Sequence, residues 1–196
     1  DLPASTTTYT VTYSLSGCWN TATSTVTVNA IPTVAVNSSA ICAGQNATLT
    51  ATPSLPGGTY SWSPGGATTQ AISATTSGSY TVTVTDGNGC SRTSLGTTVT
   101  VNPLPTITVT PASATICNGL STTLTAGGAA SYSWSPATGL SATTGATVTA
   151  NPTTTTTYTV TGTNVNGCIN TTTVTVTVNP LPTITVTPAA ATICTG

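Results

Sequence analysis

The stretch TTTYTVTGTNVNGC, residues 155–168, decides how this chain folds. Threonine alternates in it with tyrosine, valine and glycine, and a period of two places alternate side chains on opposite faces of a β-strand. The letters NVNG match a tight turn, because asparagine and glycine tolerate the positive φ that hairpins require. A second alternating run, TTVTVTVN at residues 172–179, follows the turn. The stretch therefore predicts a β-hairpin with one apolar face and one hydroxyl-bearing face.

The same hairpin occurs three times in this chain of 196 residues. Its other copies are TTTYTVTYSLSGC at residues 6–18 and SGSYTVTVTDGNGC at residues 77–90. Each copy ends in Gly-Cys and is followed by a run that ends in Val-Asn. Self-similarity at a period of about 75 residues is typical of a tandem array of domains.

An opening motif recurs with the same period. IPTVAVNSSAICAG at residues 31–44 returns as LPTITVTPASATICNG at 104–119 and as LPTITVTPAAATICTG at 181–196. The two motifs together define the expected domains, as in a segment of a longer array. We expect the C-terminal part of one repeat at 1–30, whole repeats at 31–103 and 104–180, and the start of another at 181–196.

Each whole repeat contains six or seven short alternating runs, and no stretch has helical periodicity. That many short strands in about 75 residues predict an all-β fold in which two sheets pack as a sandwich. In repeat 31–103 we predict strands at 33–37, 47–51, 59–63, 79–85 and 90–101, with one or two more at 68–74.

Aromatic side chains recur at equivalent positions and are the expected centre of each core. Tyr80, Tyr158 and Tyr9 begin the first strand of each hairpin, where a tyrosine corner forms in sandwich domains. In the middle of the repeats, TYSWSPG and SYSWSPA place a tyrosine and a tryptophan on one face of a strand. The predicted core aromatics are Tyr60, Trp62, Tyr80, Tyr132, Trp134 and Tyr158.

The motifs IC-x-G, TLTA, YSWSP, TTYTVT, NGC and TVTVNPLP together resemble the tandem immunoglobulin-like repeats of very large secreted surface proteins. Those proteins belong to gliding or type IX-secreting Bacteroidota, and some are adhesins. The resemblance covers the whole chain and implies seven-stranded immunoglobulin-like β-sandwiches displayed outside the cell. The repeats are also similar to PKD-type domains, although the acidic turn of that family is missing after Trp62 and Trp134.

Charge is almost absent from the chain, which argues against most kinds of functional site. Asp1, Asp86 and Arg92 are the charged side chains, and lysine, glutamate and histidine do not occur. General acid–base catalysis, calcium binding and phosphate or nucleic-acid recognition all depend on such groups. No apolar run reaches the roughly 18 residues of a membrane span. The sequence therefore predicts no enzyme, no cofactor and no metal site, with Asp86 serving its turn or pairing with Arg92.

The six cysteines are predicted to form structural disulfides. An even number in a charge-poor, threonine-rich setting indicates an oxidising, extracellular compartment. Two pairings inside the repeats are open: Cys42–Cys90 and Cys117–Cys168.

Strand direction favours a different pairing. If a repeat has seven strands, its first and last strands run the same way, and the two cysteines of one repeat lie roughly 30 Å apart at ~3.3 Å per residue. A disulfide requires Cα atoms ~4.4–6.8 Å apart. We therefore predict Cys42–Cys168 between repeats, unless residues 68–74 hold one strand instead of two, which would reverse the last strand. The remaining cysteines would then bond to repeats outside this chain segment: Cys18, Cys90, Cys117 and Cys194.

Three functions fit such a chain: a structural rod, a carbohydrate-binding adhesin module and an ice-binding surface. The rod needs only repetition and stiffness, and the short proline-containing linkers VNAIP and VNPLP limit bending. Ice binding is disfavoured by the long repeat, and sugar binding by aromatics predicted to lie in the cores. Strand edges without lysine favour either lateral packing into fibres or a glycan coat. The sequons for such a coat are at Asn37, Asn46 and Asn170.

Overall fold

The computed structural model describes residues 3–187, 192–193 and 196. The described residues form seventeen strands and no helix. They divide into two compact units, Asp1–Val101 and Asn102–Gly196. The all-β fold predicted from the alternating runs is therefore confirmed.

The first unit begins with a hairpin and continues with a two-sheet sandwich. The hairpin strands β1 (Thr7–Leu15) and β2 (Cys18–Val26) pair antiparallel in a sheet of their own. The sandwich strands are β3 (Val34–Val36), β4 (Ser39–Cys42), β5 (Ala47–Pro53), β6 (Thr59–Ser63), β7 (Ala71–Ala74), β8 (Gly78–Thr85), β9 (Ser91–Thr93) and β10 (Thr97–Asn102). One sheet has the order β3-β5-β7, and the other has the order β4-β10-β8-β6 with β9 paired to β8.

The second unit contains one sandwich with the same plan. One sheet has the order β11-β13-β15, and the other has the order β12-β17-β16-β14. The strands are β11 (Thr108–Thr110), β12 (Ser113–Cys117), β13 (Thr122–Gly127), β14 (Ser131–Ser135), β15 (Thr147–Ala150), β16 (Thr156–Thr163) and β17 (Ile169–Asn179).

Alternation along the strands produces the two cores. In β16, Tyr158 and Val160 point inward and are fully buried, while the threonines between them lie on the outer face. Trp62 and Trp134 occupy equivalent buried positions on β6 and β14, and Tyr60 and Tyr132 pack partly buried against the same cores. The core of the second unit consists of Ile107, Ile116, Leu124, Ala126, Trp134, Val148, Ala150, Tyr158, Val160, Val174 and Val176.

The two tryptophans also organise the link that follows their strand. The indole Nε1–H of Trp62 donates to the carbonyl of Thr69 at 2.8 Å, and that of Trp134 to the carbonyl of Gly145 at 2.9 Å. A buried indole N–H needs such a partner. Each tryptophan therefore holds the chain that connects the two sheets.

Two segments of repeat 31–103 differ from the prediction. The strand predicted at 33–37 is present as β3, but a further strand that was not predicted, β4, follows it and joins the other sheet. The strand predicted at 90–101 is broken between β9 and β10, where the hydroxyl of Ser94 accepts from the amide of Val82 at 3.1 Å. A side chain that occupies a ladder amide locally replaces the regular pairing.

Residues 68–74 hold one strand, β7, yet the expected reversal of the last strand does not follow. In the second unit β12 runs parallel to β17, with Cys117 opposite Asn179. The reason is the link between β14 and β15, which forms antiparallel bridges at Ser133–Thr144 and Leu140–Ala150. This link carries the chain back along the sandwich without a full strand, so strand counting alone was the wrong criterion.

Candidate functional site

The cysteines are in two chemical states. Cys42, at the end of β4, and Cys168, just before β17, are disulfide-bonded. Cys18, Cys90 and Cys117 are free thiols. Cys194 lies outside the described residues.

Neither pairing inside a repeat is formed. Cys90 and Cys117 are free, whereas the cysteines they would bond to are oxidised. In the second unit, Cys117 lies level with Asn179 at the far end of β17 from Cys168. Eleven residues separate Cys168 from Asn179, which is roughly 36 Å along an extended strand at ~3.3 Å per residue.

Two asparagines of the β16–β17 hairpin hold the segment that leads into their own repeat. The side-chain amide of Asn164 donates to the carbonyl of Pro103 at 3.0 Å, and that of Asn170 donates to the carbonyl of Pro105 at 2.9 Å. The Sγ of Cys168 lies 3.9 Å from the carbonyl of Asn102. The two amides satisfy the carbonyls of Pro103 and Pro105, whereas the oxidised sulfur of Cys168 has no proton to donate and only lies beside the carbonyl of Asn102. We call these three side chains the linker clamp. Sequence reasoning missed the clamp, although the pattern N-x-N-G-C-x-N carries it.

Asn164 has a second role that an aspartate fills in the first unit. Its Oδ1 accepts from the amides of Asn166 and Cys168 at 2.9 and 3.0 Å, which closes the turn. Asp86 accepts in the same way from the amides of Asn88 and Cys90. The turn role expected of Asp86 is therefore confirmed. Both Asp86 and Arg92 are described, and no ion pair joins them, because the carboxylate is aimed at its own turn.

We expect Asn164→Asp to separate these two roles. A carboxylate keeps both turn acceptors but cannot donate to Pro103, so one hydrogen bond is lost and two acceptor oxygens face each other. The free energy of unfolding of the second unit should fall by about 1–2 kcal/mol, measured by urea denaturation. The matched control is Asp86→Asn, which retains its turn acceptor and should change stability by less than about 0.5 kcal/mol. Equal effects of the two changes would contradict the clamp.

The three hairpin tyrosines make different contacts. The hydroxyl of Tyr80 donates to the carbonyl of Thr76 at 3.1 Å, four residues upstream, which is the expected tyrosine corner. The hydroxyl of Tyr158 donates instead to the carbonyl of Thr138 at 2.7 Å, in the link after β14. Tyr9 is half exposed. The corner is thus confirmed at Tyr80, while Tyr158 secures the chain between the two sheets.

Burial raises the pKa of Tyr158 above its ordinary value, partly opposed by a hydrogen bond from the Thr156 side chain. Above about pH 10 the unfolded chain loses this proton while the folded chain retains it. The folded state then binds more protons, so we expect the free energy of unfolding to fall as pH rises through this range. Tyr158→Phe should cost about 1 kcal/mol at neutral pH and flatten the alkaline decline. Denaturation between pH 8 and 11 tests this, and an unchanged decline in the variant would contradict it.

The three sequon asparagines differ in what their amides contact. Asn37 bridges to β5, donating to the carbonyl of Thr48 at 2.9 Å and accepting from the amide of Thr50 at 2.8 Å. Asn170 belongs to the linker clamp. All three asparagines are exposed, but the Asn46 side chain, unlike the other two, makes no hydrogen bond to the described residues. Its amide is therefore the one that is not held by a contact.

Two further features concern the described part of the chain: grouped metal ligands and membrane-spanning helices. No group of three or more histidine, cysteine, aspartate or glutamate side chains is placed to hold a metal ion among residues 3–187, 192–193 and 196. Over the same residues, no helix is long and apolar enough to cross a membrane.

One family model matches part of the chain. Residues 105–180 match the family described as Ig-like domain CHU_C associated. No curated protein matches the chain.

Several solved structures are similar to the chain. A 1.5-MDa bacterial ice-binding adhesin is 20% identical over 88% of this chain and 74% of that chain, with a TM-score of 0.46. The three N-terminal domains of the bacteriophage RB49 outer capsid protein Hoc are 23% identical over 76% of this chain, with a TM-score of 0.42. The N-terminal eight Ig domains of the Down Syndrome Cell Adhesion Molecule are 15% identical over 88% of this chain, with a TM-score of 0.42.

The chain spans 59% of the length of the Hoc structure and 27% of the eight-domain structure of the cell adhesion molecule. Its sheets and strand order are those of an all-β, immunoglobulin-like fold. Residues 105–180 are thus similar to Ig-like domains of the CHU_C-associated type.

Proposed function

We propose that this chain is a run of structural repeats in an extracellular fibre or cell-surface stalk. The observation that carries the proposal is the linker clamp, in which Asn164, Cys168 and Asn170 contact the carbonyls of residues 102–105. A linker that is hydrogen-bonded to the domain after it samples fewer conformations, so the array bends less under load. A clamp at successive junctions would make the array stiff, which is what a stalk requires.

The surface of the sandwiches favours association with other rods or a coat of glycans. The outer face of β16 and β17 is a grid of threonines, as in the hydrogen-bonded pair Thr157–Thr175 at 2.9 Å. Lysine, which commonly protects strand edges from pairing, does not occur in the chain. We propose lateral packing of rods, with Asn46 as the first candidate for a glycan and Asn37 and Asn170 as the others.

Carbohydrate binding is the alternative. A sugar site would need aromatic side chains together with polar groups in an accessible cleft. The aromatics of the two sandwiches, such as Trp62, Trp134 and Tyr158, lie in the cores, and the exposed ones are confined to the hairpin β1–β2. The fibre is therefore the better-supported function.

We further propose that Cys42 and Cys168 bond to each other, joining the repeat at 31–103 to the repeat at 104–180. Both are oxidised, while the partners that each would have inside its repeat are free thiols. Cys18, Cys90, Cys117 and Cys194 would make the same bond with repeats outside residues 1–196. Such a link typically adds about 2–4 kcal/mol to stability and restricts bending.

Peptide mapping without reduction tests the proposed Cys42–Cys168 disulfide. We expect a cross-linked peptide containing Cys42 and Cys168 from the chain purified under oxidising conditions. Cys42→Ser should free the thiol of Cys168, and Cys117→Ser, the matched control, should leave the cross-link in place. A peptide joining Cys42 to Cys90 would show instead that the disulfide forms within each repeat, and would contradict the proposal.

Electron microscopy of the native assembly tests the fibre itself. We expect straight rods, single or bundled, with an axial period set by one repeat. Flexible strings of independent beads would overturn the proposal.

A further inference from the structure

The hairpin β1–β2 carries an apolar surface that nothing in its sheet covers. Tyr9, Val11 and Tyr13 on β1 lie on the same face of the hairpin as Ala22 and Val26 on β2. Residues directly opposite each other in the ladder share a face, and the threonine–threonine pairs at the alternate positions lie on the other face. We call these five residues the hairpin face. Val11 and Tyr13 are 66% and 68% exposed. A two-stranded hairpin is marginally stable on its own, so such a face needs a partner.

The hairpin has the same internal contacts as the hairpin of the complete repeat at 104–180. The hydroxyls of Thr8 and Thr25 bond at 3.0 Å, as those of Thr157 and Thr175 do at 2.9 Å. The amide of Val28 donates to the hydroxyl of Thr6 at 3.1 Å, matching Val178 and Thr155 at 3.0 Å. The two hairpins therefore share register and facing, and Tyr9 and Val11 correspond to Tyr158 and Val160.

The corresponding face in the second unit is completely covered. Tyr158, Val160 and Val176 are 0% exposed. They pack in one core with Leu124 and Val148 of the facing sheet and with other residues that precede β16 in sequence. The covering structure is thus the first half of a repeat, residues 104–151.

We propose that the hairpin face is a docking surface for the first half of a repeat, joined to the hairpin through residues 3–6 of the same chain. The turn that connects the two halves of a repeat is preserved there. Pro3 and Ser5 occupy the positions of Pro152 and Thr154, and Thr7 donates to the carbonyl of Ser5 at 2.8 Å as Thr156 does to that of Thr154. A second copy is a poorer occupant, because the half-repeats at 31–76 and 104–151 already cover their own hairpins.

The inference rests on the proposed array of repeats, but its test is independent of fibre formation. A copy of residues 104–151 is joined directly to Pro3 of the chain, and amide hydrogen exchange is measured for residues 7–26. We expect exchange in the hairpin to slow by about 100-fold or more relative to the chain without the added half, with the protein monomeric. Unchanged exchange in the hairpin would overturn the proposal.

Two matched variants exclude a general stabilisation. Val11→Asp in the hairpin, and separately Leu124→Asp in the added copy alone, should each restore fast exchange in residues 7–26 and leave residues 31–180 unchanged. If either variant stays protected, the apolar face is not the docking surface. A concentration-dependent dimer of the chain without the added half, with its hairpin protected, would identify a second copy as the occupant and overturn the proposal.

A transplant tests the surface without the added half. Replacing residues 155–178 by residues 6–28 places the hairpin face over the first half of the repeat at 104–180. We expect the chimera to unfold cooperatively and to protect Val11, whereas the chimera with Val11→Asp should not fold in this unit. A chimera without protected amides would show that the face does not fit a half-repeat. None of these outcomes depends on rods or on Cys42–Cys168, so the fibre proposal stands or falls separately.

Discussion

Trp134→Ala should unfold much of the second unit, because it lowers the free energy of unfolding by about 3–5 kcal/mol. The side chain is 3% exposed in the middle of the core and makes the hydrogen bond to Gly145. Its removal leaves a large cavity and also deprives a carbonyl in the β14–β15 link of its donor. In a small domain this is a large share of the total stability.

Hydrogen exchange with increasing urea measures this change in each unit separately. Peptides from β13 to β16 should lose protection in Trp134→Ala, while those from β5 to β8 serve as an internal reference. The matched control is Trp19→Ala, since Trp19 is 73% exposed on β2. Its effect should lie within about 0.5 kcal/mol. A loss below about 1 kcal/mol for Trp134→Ala would contradict the assignment of this tryptophan to the core.

Gly128→Ala is expected to cost the second unit about 2–5 kcal/mol. Gly128 has a φ of +93°, a left-handed conformation that disfavours side chains. A methyl group there would also collide with the carbonyl of Thr106, and this backbone cannot move without shifting Ile107 in the core. The backbone strain and the steric collision therefore both lower the free energy of unfolding.

Gly119→Ala isolates the strain from the collision. Gly119 has a similar φ of +89°, but a methyl group built on it meets nothing within 4 Å. We expect a cost of about 1–2 kcal/mol for this control. Thermal or urea denaturation of both variants measures the difference, and equal costs would show that the segment at Thr106 adapts to the added methyl group.

Local patterns predicted strands well where one face of a strand is buried. The strand expected at 59–63 has the bounds of β6, and the one expected at 79–85 differs from β8 by one residue. Alternation is decisive there, since a slip by one residue would turn Trp62 or Val82 out of the core. The positions of the core aromatic residues were predicted correctly for the same reason.

Features that depend on distant segments were missed or mispredicted. Strand β4 was not predicted, because its partner is β10 in the other sheet and no local signal at residues 39–42 specifies that pairing. Of the two roles considered for Asp86, the turn forms and the pairing with Arg92 does not, because the backbone amides of the turn bind the carboxylate. The linker clamp joins residues 61 to 66 positions apart, beyond any local pattern.

By itself the sequence determined the repeat, the hairpins and the inner face of each strand, because these depend on a period of two and on turn residues that act locally. Only the tertiary structure decided the direction of the last strand and the placement of the cysteines. That direction follows from the β14–β15 link, which Trp134 and Tyr158 hold through the carbonyls of Gly145 and Thr138. Those contacts exist only once two sheets have packed, so the pattern along the chain does not contain them.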